Sequence, residues 1–104
     1  MSKSVYISGA VTGVPDFADR FSTAEAELYA LGYIPVSPIR IGEDLKERLG
    51  REPDYEEYMA YDLDALALCD HIYLLEGWEN SKGARREWER AKELGIDPIY
   101  LEDD

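Results

Sequence analysis

The chain predicts a three-layer α/β sandwich, a small parallel sheet with helices on both faces, folded as one domain over residues 1–104. Three observations carry this. Short apolar runs rich in β-branched and aromatic residues alternate with longer segments whose apolar residues recur every three or four positions. Glycine or proline stands at most of the boundaries between them. The length of 104 residues suffices for one hydrophobic core and not for two. Strands alternating with helices imply right-handed crossovers and a parallel sheet covered on both sides.

Each element follows from its residues. Val5-Tyr6-Ile7-Ser8 reads as the first strand, broken at Gly9 and again at Gly13. From Asp16 to Leu31 the residues Phe17, Phe21, Ala24, Leu28 and Leu31 mark one helix face, and Gly32 is a natural stop. Tyr33 to Val36 reads as a second strand, with Pro35 suited to an edge. Between Pro38 and Gly50, Ile41, Leu45 and Leu49 recur every fourth residue, which fits a short amphipathic helix. The 38–53 segment is then either a lid over the site or a surface loop. A further helix runs from about Asp54 to Leu68 with Tyr55, Met59, Leu63 and Leu66 on one stripe. His71 to Leu75 reads as a buried strand, and a turn from Gly77 to Ser81 leads into a helix that runs to Leu94. Gly95 closes that helix before a last strand, Pro98 to Leu101. There is no internal repeat, low-complexity tract or interdomain linker.

Charge and composition narrow the partners. A formal net charge of −12 argues against extended binding to DNA, RNA or an anionic membrane, which would repel the chain. It leaves room for a single nucleotide whose phosphate meets a local patch of N–H groups. Cys69 is the only cysteine, so no internal disulfide can form, and a reducing cytoplasmic setting fits best. The apolar stretch after Lys3 ends at Gly9, too early for a signal peptide, and no run approaches the ~20 apolar residues that span a bilayer.

The most informative stretch is Gly77 through Glu87. A strand, a small-residue turn and a helix in that order offer unpaired N–H groups and a positive dipole end to an anionic or polar ligand. Side chains four apart share a helix face and lean toward its N-terminus, so Glu87 is expected to point back over Gly83 toward the turn. Ligands of such sheets bind beyond the carboxyl ends of the strands, where the strand order reverses. In a flavodoxin-like, Rossmann-like order the first and third strands are neighbours there, so the turns Gly9–Gly13 and Gly77–Ser81 would line one crevice. Asp62 is the second carboxylate of interest. It lies at the edge of the apolar stripe of its helix, where partial desolvation raises a pKa toward that of a proton donor, or where it pairs with an arginine. Asp64 should face solvent, and Asp70 should end the helix.

Three motifs taken together, Tyr6-Ile7-Ser8-Gly9, Asp62-Leu63-Asp64-Ala65-Leu66 with Cys69-Asp70-His71-Ile72, and Ser81-x-Gly83-x-x-x-Glu87, resemble the nucleoside 2-deoxyribosyltransferase superfamily. The likeness is strongest to a small branch with a Gly-Trp-x-x-Ser-x-Gly-Ala-x-x-Glu signature and covers nearly the whole chain. The resemblance implies a flavodoxin-like fold, commonly dimeric or a higher homo-oligomer, acting on a nucleoside or nucleotide without a cofactor. Glu87 matches the glutamate that attacks C1′ of the sugar, and Asp62 an aspartate that assists departure of the base. Tyr6, Ser8 and Gly9 match the first-strand motif that shapes the sugar pocket, with Thr12 in the following loop and Gly77, Trp78, Ser81, Lys82 and Gly83 in the second turn. Ser81 stands where related nucleoside 5′-monophosphate N-glycosidases carry a serine that contacts the phosphate, and where deoxyribosyltransferases carry an aspartate.

Two departures from those relatives stand out. The monophosphate glycosidases usually have a second glycine where this chain has Arg85, and a basic residue where it has Thr12. Arg85 either narrows the pocket or turns outward, and Lys82 and Arg86 could replace the missing cation or form a solvated, paired helix face. The chemistry fits the residue types. An oxocarbenium-like state at C1′ is stabilised or captured by a carboxylate, while a second, protonated acid assists the leaving base. A positive helix end should keep Glu87 ionised and partial burial should keep Asp62 protonated. Other features take plainer readings: His71 lacks partners at metal-ligand spacing, Cys69 is a small core residue, Trp78 stacks on a base or buries at an interface, and Tyr55, Tyr58 and Tyr61 pack, form an interface or, in one case, touch the substrate. A nucleotide-binding module without turnover, or an interaction protein on the same fold, are the alternatives to an enzyme.

Overall fold

The computed structural model describes residues 2–100. Leu101 and the acidic tail of Asp103 and Asp104 lie outside the described residues. Four strands, β1 (Ser4–Ser8), β2 (Ile34–Val36), β3 (His71–Leu74) and β4 (Asp97–Ile99), form one all-parallel sheet in the order β2-β1-β3-β4. Four helices connect them: α1 (Phe17–Ala30), α2 (Pro38–Leu49), α3 (Tyr55–Ala67) and α4 (Lys82–Leu94). The architecture is the flavodoxin-like, Rossmann-like three-layer fold in a single domain, with β1 and β3 adjacent at its centre.

The strand period of two sorts β1 between two cores. Val5 and Ile7 face α1 and pack with Phe21, Ala24, Leu28 and Leu75. Tyr6 points the opposite way, into a second core with Leu66 and Cys69 from the α3 side, Ala91 from α4, and Ile72 and Ile96. Ser8, two residues after Tyr6, shares its face and is also fully buried. One central strand therefore sends hydrophobic side chains to one layer and two hydroxyl groups to the other.

Helix ends are set locally. Ser37 caps α2, with Pro38 in the first turn, where its missing N–H costs nothing. The segment considered as a surface loop is thus mostly helical. Asp54 and Glu57 form a capping box on α3, each side chain bonding the other's backbone N–H. Asp70 does not end α3, which is capped at Leu68; its carboxylate instead accepts the N–H of Ser4 at 2.9 Å and ties the start of β1 to the start of β3. Leu31 and Leu49 are exposed at the ends of their helices, because each stripe outlasts the layer it covers.

Asp54→Ala should lower stability by about 1 kcal/mol by uncapping α3. Urea unfolding should show the midpoint falling with an unchanged m-value; an unmoved midpoint would deny the cap that role.

Candidate active site

Two helices each carry an acid where the packing calls for an apolar residue. On α3 the buried row is Met59, Asp62, Leu66; on α4 it is Ala84, Glu87, Ala91. In both rows the carboxylate stands three residues after the first buried position, so each acid lies on the inward face of its helix. Asp62 is 8 % exposed and Glu87 only 4 %. Alanines on both sides of Glu87 let α4 approach the sheet closely enough for the hydroxyls of β1 to reach it. Tyr6 donates its hydroxyl to Glu87 Oε2 at 2.5 Å, and Ser8 Oγ donates to Oε1 at 2.7 Å. Asp62 is held differently: its Oδ1 is buried with no hydrogen-bond partner among the described residues.

Burial decides the protonation of both acids. It pushes Asp62 up to about 8, with the nearby Glu87 charge adding to the shift. It also raises Glu87, to about 7, while the Tyr6 and Ser8 hydroxyls pull in the opposite direction by favouring the ionised form. The expectation that a positive helix end keeps Glu87 ionised needs correction. Glu87 lies more than a turn inside α4, beyond the reach of the terminal N–H groups, so desolvation governs it. Tyr6, fully buried beside this carboxylate, is raised well above its ordinary value, chiefly by burial.

Both acids open onto one cavity of about 680 Å³ beyond the carboxyl ends of β1 and β3. Gly9, Ala10, Val11 and Thr12 line it from the turn after β1, and Pro38 and Ile39 from the start of α2. Tyr55, Tyr58 and Met59 join Asp62 on the α3 wall, with Glu52 just before that helix. Asn80 through Ala84 and Glu87 complete it from the turn and α4. Glu52 anchors this rim by accepting the Tyr58 hydroxyl at 2.8 Å and pairing with Lys46 at 3.0 Å.

The residues expected at the site separate into three groups. Glu87, Asp62, Gly9, Thr12, Ser81, Lys82 and Gly83 line the cavity. Tyr6 and Ser8 do not; strand alternation turns them beneath α4, where they hold Glu87 from behind. Gly77 and Trp78 are also outside the lining: Gly77 takes a positive φ of 88° that forms the turn, and Trp78 packs edge-on against Trp88 at 6.1 Å. Ser81 caps α4 by accepting the Ala84 N–H at 3.2 Å. The two glycines earn their places by packing. A Cβ on Gly9 would come within 2.9 Å of the Leu75 side chain, and one on Gly83 would meet Met59 Sδ at 3.4 Å on α3 rather than stand before Glu87.

The basic residues divide as well. Arg85 turns outward and donates to the Glu79 carbonyl at 2.7 Å, leaving the cavity open. Arg86 pairs with Glu56 at 2.9 Å. Lys82 stands over the Tyr55 ring, 5.2 Å from its centroid, and is the only basic residue among the described residues that line the cavity. Val11 and Asn80 belong to the two turns expected to line the crevice, whereas Ile39 and Glu52 are lining residues that no motif singled out. The Ser37-Pro38 helix start was a signal for Ile39, since it sets α2 down right after β2 at the crevice. His71 contacts the Asp97 carbonyl and the Tyr33 ring, and among the described residues no cluster of His, Cys, Asp or Glu could hold a metal. No helix among them is long and apolar enough to cross a membrane.

Fold and site together define a flavodoxin-like α/β protein with a paired-acid cavity at the carboxyl edge of its sheet. The chain belongs to the family described as Domain of unknown function (DUF4406), whose match spans residues 3–100. No curated protein matches the chain.

An acid raised from its ordinary value near 3.8 to about 8 binds a proton in the folded state that the unfolded chain releases. Stability is therefore greatest below the unfolded value and falls as pH rises through that interval. Asp62→Asn removes the penalty, so its melting temperature should exceed the wild type by about 4 °C or more at pH 8.5, with the gap closing near pH 4. Equal melting temperatures across that range would contradict the burial assigned to Asp62.

Proposed function

We propose that the cavity cleaves or transfers at the N-glycosidic bond of a (deoxy)nucleoside or nucleoside 5′-monophosphate, with Glu87 as nucleophile and Asp62 as the assisting acid. One observation carries this reading: two buried carboxyls of different environment face one cavity, one gripped on both oxygens and one with an oxygen left to a ligand. The resemblance of the three motifs to the nucleoside 2-deoxyribosyltransferase superfamily supports it. The elevated value of Asp62 suits a donor that is still protonated near neutral pH.

The reaction follows from those states. As the bond between C1′ and the base nitrogen lengthens, positive charge grows on the sugar, and the Glu87 carboxylate stabilises it or bonds to C1′. Asp62 gives its proton to the departing base and becomes a carboxylate. Water or a second base then attacks C1′, any bond from Glu87 to C1′ breaks to release the carboxylate, and the attacking group's proton passes to Asp62, which restores the starting state. Tyr55, Tyr58 and Met59 offer a flat, largely apolar wall for a base. Lys82 and the start of α4 offer the polar end for a sugar or phosphate.

Two coarser features accompany this proposal. Tyr29, Leu31 and Ile34 form exposed apolar surface at the β2 edge, which favours a homo-oligomer. The lone buried thiol of Cys69 suits a reducing cytoplasm.

Chromatography of reactions with a panel of nucleosides and their monophosphates should reveal free base. Glu87→Gln should abolish release, and Asp62→Asn should lower kcat by about 10²–10⁴-fold. Unchanged release in Glu87→Gln would remove Glu87 from the reaction, while binding of a nucleotide with no release would leave a binding module. The pH profile of kcat/KM should be bell-shaped, rising as Glu87 ionises about pH 7 and falling as Asp62 loses its proton about pH 8. A flat profile from pH 5 to 9 would contradict the assignment of roles.

A further inference from the structure

Ser8 is not among the residues that line the cavity, yet it is fully buried and spends its hydroxyl on Glu87. Tyr6, two residues earlier on the same face of β1, takes the other oxygen. A carboxylate with a donor on each oxygen cannot rotate about its terminal bond without losing one of them. Its plane is then set by β1, a strand hydrogen-bonded on both sides and thus among the most rigid parts of the fold. The two donors differ in what else they do. Tyr6 fills the core between sheet and helices, so its removal changes packing. Ser8 adds almost no volume, and its contact with Glu87 is the specific thing that it supplies.

We propose that Ser8 is a positioning residue: with Tyr6 it fixes the plane of the Glu87 carboxylate and so determines which oxygen lone pairs face the cavity. This deepens the reading above and rests on Glu87 being the reacting carboxylate. The clamp also opposes burial, because hydroxyl donors favour the ionised form. The other titratable groups facing Glu87 are Tyr6 from β1, Asp62 from α3 and Lys82, which lines the same cavity from the start of α4. Of these groups only Tyr6 bonds Glu87, and it is committed to Oε2, so the donor on Oε1 is Ser8 alone.

The test uses the full chain labelled with ¹³C at the glutamate carboxyl, titrated by NMR in the wild type, Ser8→Ala, Ser8→Thr and Tyr6→Phe. Glu87→Gln assigns the signal. Losing one hydrogen bond to a charged group should raise the Glu87 midpoint by about one pH unit or more in Ser8→Ala, and Ser8→Thr, which keeps the hydroxyl, should return most of it. Tyr6→Phe should shift it in the same direction. With a nucleoside found to be cleaved, Ser8→Ala should lower kcat by about tenfold and move the acid limb of its pH profile upward by the same amount as the NMR midpoint, with KM little changed. An unmoved midpoint in Ser8→Ala would overturn the proposal, whether or not the protein cleaves anything. A moved midpoint in a protein that releases base from no compound would keep the clamp and remove the glycosidic reading.

Discussion

Burying two carboxyl groups in the facing rows of α3 and α4 is the constraint around which this molecule is arranged. A helix packed against a sheet ordinarily fills its inward row with apolar side chains, and both of these helices do so except at Asp62 and Glu87. Acids in that position oppose folding unless they are neutral or well bonded. The structure uses both remedies: Glu87 receives two hydroxyl donors, and Asp62 stays protonated. An arrangement that lowers stability in order to hold two acids apart in protonation is typical of a site rather than of a core. It also explains the alanines on α4, since a larger neighbour would push Glu87 away from the hydroxyls that make its burial tolerable.

The topology does the rest. Because β1 lies between β2 and β3, its turn and the turn after β3 meet at the same edge, and α2 begins there as well. Gly9 permits the first turn to close on Leu75, and the Gly77 turn sets the start of α4, so the cavity is framed by elements that the sheet order brings together. The family match covers this whole unit, from Lys3 through the last described strand, so the paired acids and the sheet that aligns them lie within one matched unit of the chain.

Most of this frame was legible in the residues. The helix spacing of Met59, Asp62 and Leu66, the run from Ser81 to Glu87 and the short strand before Gly9 each announce themselves locally. What could not be read was set by contacts between layers. Strand alternation says that Tyr6 and Ser8 share a face, but only the packing of α4 over that face shows that they bond Glu87 instead of lining the cavity. The pairing of Trp78 with Trp88, the outward course of Arg85 to the Glu79 carbonyl and the arrival of Glu52 at the rim likewise depend on neighbours distant from any motif. Glu87 was expected to be governed by the helix end; its depth in the row makes desolvation the stronger effect.

The central claim is that burial holds a proton on Asp62 at a pH where Glu87 has begun to ionise. Infrared difference spectroscopy between pH 7 and 8 tests it most directly, comparing the wild type with Asp62→Asn and Glu87→Gln. The account predicts a buried protonated-carboxyl band near pH 8 that is largely lost in Asp62→Asn and persists in Glu87→Gln. A wild-type spectrum showing both carboxyls ionised throughout that interval would contradict it.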